Sequence, residues 1–191
     1  MNTAAPEMAK RALILVDIQN DYFADGLWPL SNIETATRKA IRALQAFREH
    51  GGLVVHIRHE FLSEDAPFFK PDSKGAQLHP DATNLPEETL VLKRHINSFL
   101  QTDLKAHLDD NGIREVVVVG NMTHMCVDAV TRAAVDMGYG ATVLHDACAT
   151  RDVEFNGVVV PAEQVHVAFM AALSVAYARV ISTDDYLHDM N

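Results

Sequence analysis

Six short apolar runs punctuate the chain, and their recurrence narrows the fold more than any other feature. They are ALILVD (12–17), LVVHIRH (53–59), TLVLK (89–93), EVVVVG (115–120), ATVLHD (141–146) and ARVIST (178–183). Runs of this length, rich in β-branched residues, read as strands buried on both faces. Patterns with the helical period lie between them. Ser31 and Glu34 have the spacing of a capping box; Ile33, Ala36, Ala40, Ile41, Leu44 and Phe47 then recur at intervals of three and four, and Gly51 and Gly52 end the helix. A second helix is expected over 102–111, stopped by Gly112. A third begins near Cys126 with Val127, Val130, Ala134 and Met137 on one side, and a fourth follows Pro161 with Val165, Ala168, Phe169, Ala172, Leu173 and Ala176 as its core face. This alternation predicts a mainly parallel sheet of about six strands covered on both sides, a three-layer α/β/α sandwich.

The 191 residues, with 48% hydrophobic content, fit one domain over 1–191 with enough chain for a sizeable core. Residues 60–88 break the alternation. This stretch is rich in Pro, Asp and Ser, carries Phe61, Phe68 and Phe69, and is too long for a routine connection, so it reads as a functional loop or lid. A net charge of −10 with no basic face or tail makes nucleic acid and anionic membrane surfaces poor partners. The N-terminal MNTAAPEMAKRALILV has only a short apolar run after its lysine and arginine, which fits neither a signal peptide nor a spanning helix. The expectation is a cytoplasmic protein. In that compartment Cys126 and Cys148 have little reason to pair, and one of them is expected to be a reactive thiol.

Parallel sheets place their ligand crevice at the carboxyl ends of the strands. The first strand ends in Asp17, the third in Lys93, and the fourth opens through the 120–125 turn onto Cys126. A carboxylate, an ammonium and a thiol would meet at one edge of the sheet if those strands are neighbours. Cys126 stands at a helix start, where unpaired backbone N–H groups stabilise a thiolate and can lower a thiol pKa from about 8.5 to about 3.5–7.5. Cys148, in HDACAT, reads as a small buried hydrophobe.

Those residues carry a resemblance. LILVDIQNDYF, then LVLKRHINSFLQTDL, then VVVVGNMTHMCVDAVTRAA, together with HDACAT and the terminal VISTDDYL, resemble the isochorismatase-like cysteine hydrolases over about residues 11–187. That family includes nicotinamidases, carbamoyl-amide hydrolases and isochorismatase. The resemblance implies a Rossmann-like fold, a catalytic triad of Asp17, Lys93 and Cys126, a cis peptide between Asn121 and Met122, and an oxyanion hole from the backbone N–H groups of Met122 and Cys126. It also suggests a homo-oligomer. The implied reaction is C–N cleavage in a small amide, ureido or carbamoyl compound through an acyl-thioester on Cys126, without a cofactor.

The departures from the family matter as well. Nicotinamidases hold zinc with an Asp-x-His pair after the second strand and a further histidine, whereas here the stretch is HIRHEFLSE. His56 and His59 are three apart, on opposite faces of a strand, and His79 in the loop is the remaining candidate, so no metal is expected. Two other readings stand beside the amidase: a vinyl ether hydrolase using Asp17 without needing Cys126, and a silent binding or scaffold protein on an enzyme fold. A thiol redox sensor would have no use for Asp17 and Lys93. Phe23, Trp28, Phe61, Phe68, His59 and His124 are candidates for contact with a small-molecule substrate. Gln19 and Asn20 read as loop-fixing residues, and His166 as a surface or packing residue.

Overall fold

The computed structural model describes residues 8–190; the first seven residues, part of the stretch read above as lacking a signal peptide, lie outside the described residues, as does Asn191. Each expected strand forms. In chain order the elements are β1 (Arg11–Val16), α1 (Ile33–His50), β2 (Leu53–His59), β3 (Thr89–Lys93), α2 (Leu104–Asp110), β4 (Glu115–Asn121), α3 (Asp128–Asp136) and β5 (Gly140–Ala149). A hairpin of β6 (Val153–Phe155) and β7 (Val158–Val160) follows, then α4 (Ala162–Ala176), β8 (Arg179–Ile181) and α5 (Thr183–Met190). Six strands make one parallel sheet in the order β3-β2-β1-β4-β5-β8.

Alternation along the central strand shows why both faces are covered. Leu13 and Leu15 of β1 pack into a core with Ala40, Leu44 and Phe47 of α1 and Tyr186 of α5. Ala12, Ile14 and Val16 point the other way, against Leu104 and Leu108 of α2, Val130 and Ala134 of α3, and Leu173 of α4. The result is the three-layer sandwich. Among the described residues no helix is long and apolar enough to cross a membrane.

Local details depart from the sequence reading. The capping box at Ser31 does not form, because Ser31 is held in an antiparallel bridge to Thr150 and Asn32, with φ 58°, flanks the helix instead. Gly51 does end α1, with φ 71°. The second helix is shorter at both ends than expected, since Thr102 bonds back to the Ser98 carbonyl before it. Met137 is exposed rather than core-facing. Along α4 only Val165, Met170 and Leu173 are buried; Phe169 is half-buried and Ala168, Ala172 and Ala176 face outward beside Val167 and Val175. The helix is apolar nearly all round, so periodicity could not choose its face. The β6–β7 hairpin is absent from the sequence reading, although Asn156-Gly157 at its tip, with φ 52° and 78°, is a strong hairpin signal.

Residues 60–88 are folded onto the body by the residues after β1. The Asp21 carboxylate accepts from the backbone N–H of Phe69 at 2.6 Å and of Leu27 at 3.2 Å. Gln19 donates to the carbonyls of His59 and Ala76 and accepts from the His59 N–H, and Asn20 donates to the Lys74 carbonyl. Both are loop-fixing residues, as their side-chain chemistry suggested.

Candidate active site

Gly120 is where two strands come closest. It pairs with Val16 across β1 and β4, has φ 114°, and a Cβ on it would lie 2.1 Å from the Val16 carbonyl oxygen. Only glycine fits there. The chain leaves β1 at Asp17 with φ 49°, a left-handed turn that Asp tolerates better than most residues, and the Asn121 side chain donates to the Asp17 carbonyl at 3.3 Å. The Asn121–Met122 peptide bond is cis. Beyond it Thr123–Val127 forms a single π-helical turn that runs into α3 and carries Cys126.

The strands bearing Asp17 and Lys93 are not neighbours; β2 lies between them. The Lys93 side chain crosses that gap, and His59, its register partner on β2, sits alongside. The ammonium is 2.9 Å from Asp17 Oδ2, 3.0 Å from Cys126 Sγ and 3.2 Å from His59 Nδ1, with the carbonyls of His95 and Ile96 at 3.3 Å. The contact with Asp17 is a buried ion pair, and Cys126 faces the same carboxylate. Asp17, Lys93, Cys126 and His59 are all buried.

Burial works against the Lys93 ammonium, yet the charges of Asp17 and Cys126 outweigh it and its pKa is raised. Burial pushes the Cys126 thiol up to about 12, with the Asp17 carboxylate adding to that and Lys93 opposing it. The expected lowering at a helix start does not occur, because the sulfur lies inside a π-turn at 2% exposure rather than at an open helix end. Buried Cys148 is likewise pushed up to about 12, its thiol donating to the Leu144 carbonyl. Both thiols are free. Donor atoms of Asp17, His59 and Cys126 lie within 4.8 Å of one another, a spacing that could serve a metal ion. The Lys93 ammonium, at contact distance from all three, already supplies a cation there. His56 and His79 do not join them: His56 bonds Glu88 at 2.9 Å, and His79 stacks on Phe23.

Cys126 and His59 open onto a pocket of about 550 Å³. Tyr22, Trp28, Phe61 and Phe68 wall it, with Met122, His124 and Met125 beside the sulfur and Arg151 to Glu154 contributing polar groups. The Arg151 guanidinium lies 4.0 Å over the Trp28 ring. Of the residues named from sequence, Trp28, His59, His124, Phe61 and Phe68 line the pocket. Phe23 does not; it is buried against His79, and its neighbour Tyr22 takes the wall. Burial first, then Cys126 and Asp17, raise the Tyr22 phenol pKa well above its ordinary value. Tyr22 and Arg151 were missed in the sequence, where nothing but their adjacency to DIQN and DACAT marks them. His166 is half-buried, its Nδ1 2.9 Å from the Thr123 hydroxyl at the start of the π-turn, and His124 contacts the Thr150 hydroxyl through Nδ1.

Similarities to known proteins cover the whole fold. The isochorismatase domain model matches residues 11–185. The chain is 44% identical over 176 residues to YddQ, an uncharacterised isochorismatase family protein of Bacillus subtilis, covering 92% of this chain and 98% of that one. A candidate isochorismatase hydrolase of known structure from Oleispira antarctica is 52% identical, with a TM-score of 0.92 over 97% of this chain and 100% of that one. A streptothricin hydrolase of Streptomyces noursei is 32% identical over 151 residues, 79% of this chain and 59% of that protein.

Proposed function

The chain belongs to the isochorismatase family of hydrolases, and within it we propose a cysteine hydrolase that cleaves a C–N bond of a small amide, ureido or carbamoyl compound. The observation that carries this reading is the buried Lys93 ammonium, 2.9 Å from Asp17 and 3.0 Å from Cys126, with Cys126 itself lining an aromatic pocket. A thiol held up to about 12 does not ionise to solvent at neutral pH. Transfer of its proton to Asp17 is a different event: it converts carboxylate and thiol into acid and thiolate beside the same ammonium, with no change in net charge. The buried site is thus suited to internal proton transfer when substrate arrives.

Asp17 takes the thiol proton and Cys126 attacks the amide carbon. The oxyanion rests on the backbone N–H groups of Met122 and Cys126, each donor contributing on the order of 10² to 10³ in rate. Asp17 returns the proton to the leaving nitrogen, the C–N bond breaks, and an acyl-thioester remains. Water, deprotonated by Asp17, then releases the acid. Lys93 keeps the charge balanced throughout. Trp28, Phe61, Phe68 and His124 shape the pocket for a small substrate, and no cofactor is required. The exposed Phe155, Val158 and Val159 of the hairpin and Val167 and Val175 of α4 support association with further copies.

The test is release of ammonia or amine from a panel of small amides and ureas, with intact-mass trapping of the acyl-enzyme. Wild-type turnover that vanishes in both Cys126→Ala and Asp17→Asn supports the reading. Vinyl ether cleavage that survives Cys126→Ala would replace it, and absence of turnover and of any trapped adduct would point to a silent protein on this fold.

A further inference from the structure

The His59 ring carries a proton for which the described residues provide no acceptor. Its Nδ1 lies 3.2 Å from the Lys93 ammonium, a group that can only donate, so Nδ1 accepts. Burial first, then the Lys93 charge, hold the imidazole pKa down to about 4. At neutral pH the ring is therefore uncharged and its one N–H is on Nε2. That atom is buried and unpartnered among the described residues, while the ring lines the pocket onto which Cys126 opens. The backbone N–H and carbonyl of the same residue are both satisfied by Gln19, which makes the orphaned Nε2–H the exception in a well-bonded neighbourhood. A buried N–H without an acceptor is costly, and a ligand that brings one removes the cost.

We propose that His59 Nε2–H is a substrate-binding donor that selects amides carrying a hydrogen-bond acceptor on the atom next to the scissile carbonyl carbon, as in α-oxo amides or heteroaromatic amides with a ring nitrogen beside the carboxamide-bearing carbon. The assignment deepens the cysteine hydrolase reading and rests on it. The acceptor is not the scissile oxygen itself. In the proposed mechanism that oxygen goes to the backbone N–H groups of Met122 and Cys126, which leaves the His59 donor for a neighbouring acceptor.

Substitution can separate the two ring nitrogens, because an asparagine oxygen stands near the place of Nδ1 and a glutamine amide nitrogen near that of Nε2. The probes are iodoacetamide, which carries an acceptor on the carbon beside the reacting one, and allyl iodide, which carries none. Alkylation of Cys126 by iodoacetamide should slow about tenfold in His59→Asn, the loss of one hydrogen bond to a buried donor, while allyl iodide stays within about twofold. His59→Gln, which keeps the donor and loses the Lys93 contact, should retain most of the preference for iodoacetamide. Equal slowing with both probes in His59→Asn would mean that His59 acts only through Lys93 and the thiol, and would overturn the proposal, as would an unchanged preference. If the asparagine variant does not fold, the glutamine variant decides: a retained preference supports the donor and a lost one overturns it. An intact preference in a protein that turns over no amide would remove the hydrolase reading and still support the donor.

Discussion

Replacing Asp17 with asparagine should abolish turnover and at the same time make Cys126 more reactive. The carboxylate is one of the groups that push the thiol up to about 12, and Lys93 opposes it. The asparagine side chain is close in shape to the aspartate and removes only the negative charge, so burial alone is left to oppose the ammonium 3.0 Å from the sulfur. Asp17 and Cys126 present atoms within 4.8 Å of each other; at an effective dielectric of about 20 such a pair interacts by about 3 to 4 kcal/mol, or about 2.5 pKa units. The thiol should therefore fall to roughly 9 to 10, which raises the thiolate fraction at pH 8 by about two orders of magnitude. A less basic thiolate is also a weaker nucleophile, with a Brønsted slope of about 0.4–0.5, leaving a net acceleration of about 10- to 30-fold. The assay is the pH dependence of iodoacetamide alkylation at Cys126, followed by peptide mass, with Cys148 as the internal reference. Slower alkylation in Asp17→Asn across pH 6 to 9 would refute the reasoning, because it would make Asp17 the base for the resting thiol rather than a charge that holds its proton on.

Further expectations follow from the same contacts. Lys93→Met removes the cation from a buried pair and should cost about 3 to 5 kcal/mol in urea unfolding, with Cys126 alkylation slower than in wild type; unchanged stability would mean that the pair is not formed in solution. The Lys93 pKa is raised, so its contribution is present below about pH 10 and is lost as pH rises beyond the folded value. The methionine variant should accordingly show a flatter alkaline limb than wild type. Glu88 is held down to about 2, where burial is outweighed by Arg48, the Leu85 N–H and His56. Its stabilisation should be present above about pH 4.3 and lost as pH falls towards 2, and Glu88→Gln should lack that acid limb in pH-dependent unfolding. Gly120→Ala would place a Cβ 2.1 Å from the Val16 carbonyl at φ 114° and should cost at least about 2 kcal/mol, read as a lower melting temperature.

Local chemistry wrote much of this protein into its sequence. β-branched runs at even spacing specify buried parallel strands whatever their order, because only a sheet covered on both faces hides them, and chemical residues at strand ends specify which edge carries the site. The meeting of Asp17, Lys93 and Cys126 was legible for that reason. Strand order was not, since nothing local to β1 or β3 says that β2 lies between them; that arrangement makes Lys93 reach across and brings His59 into its company. The thiol's electrostatics were misread from position alone. A helix start stabilises a thiolate only when open to solvent or unopposed, and here a closed π-turn and a neighbouring carboxylate reverse the sign. Phe23 and Tyr22 are adjacent in the chain and both buried, yet the 3₁₀ turn at Asn20–Tyr22 stacks Phe23 on His79 and sets Tyr22 in the pocket wall. Periodicity and residue type act through neighbours along the chain and so survive in the sequence. Burial, charge balance and the direction of a side chain depend on neighbours brought in from far away, and only the folded structure decides them.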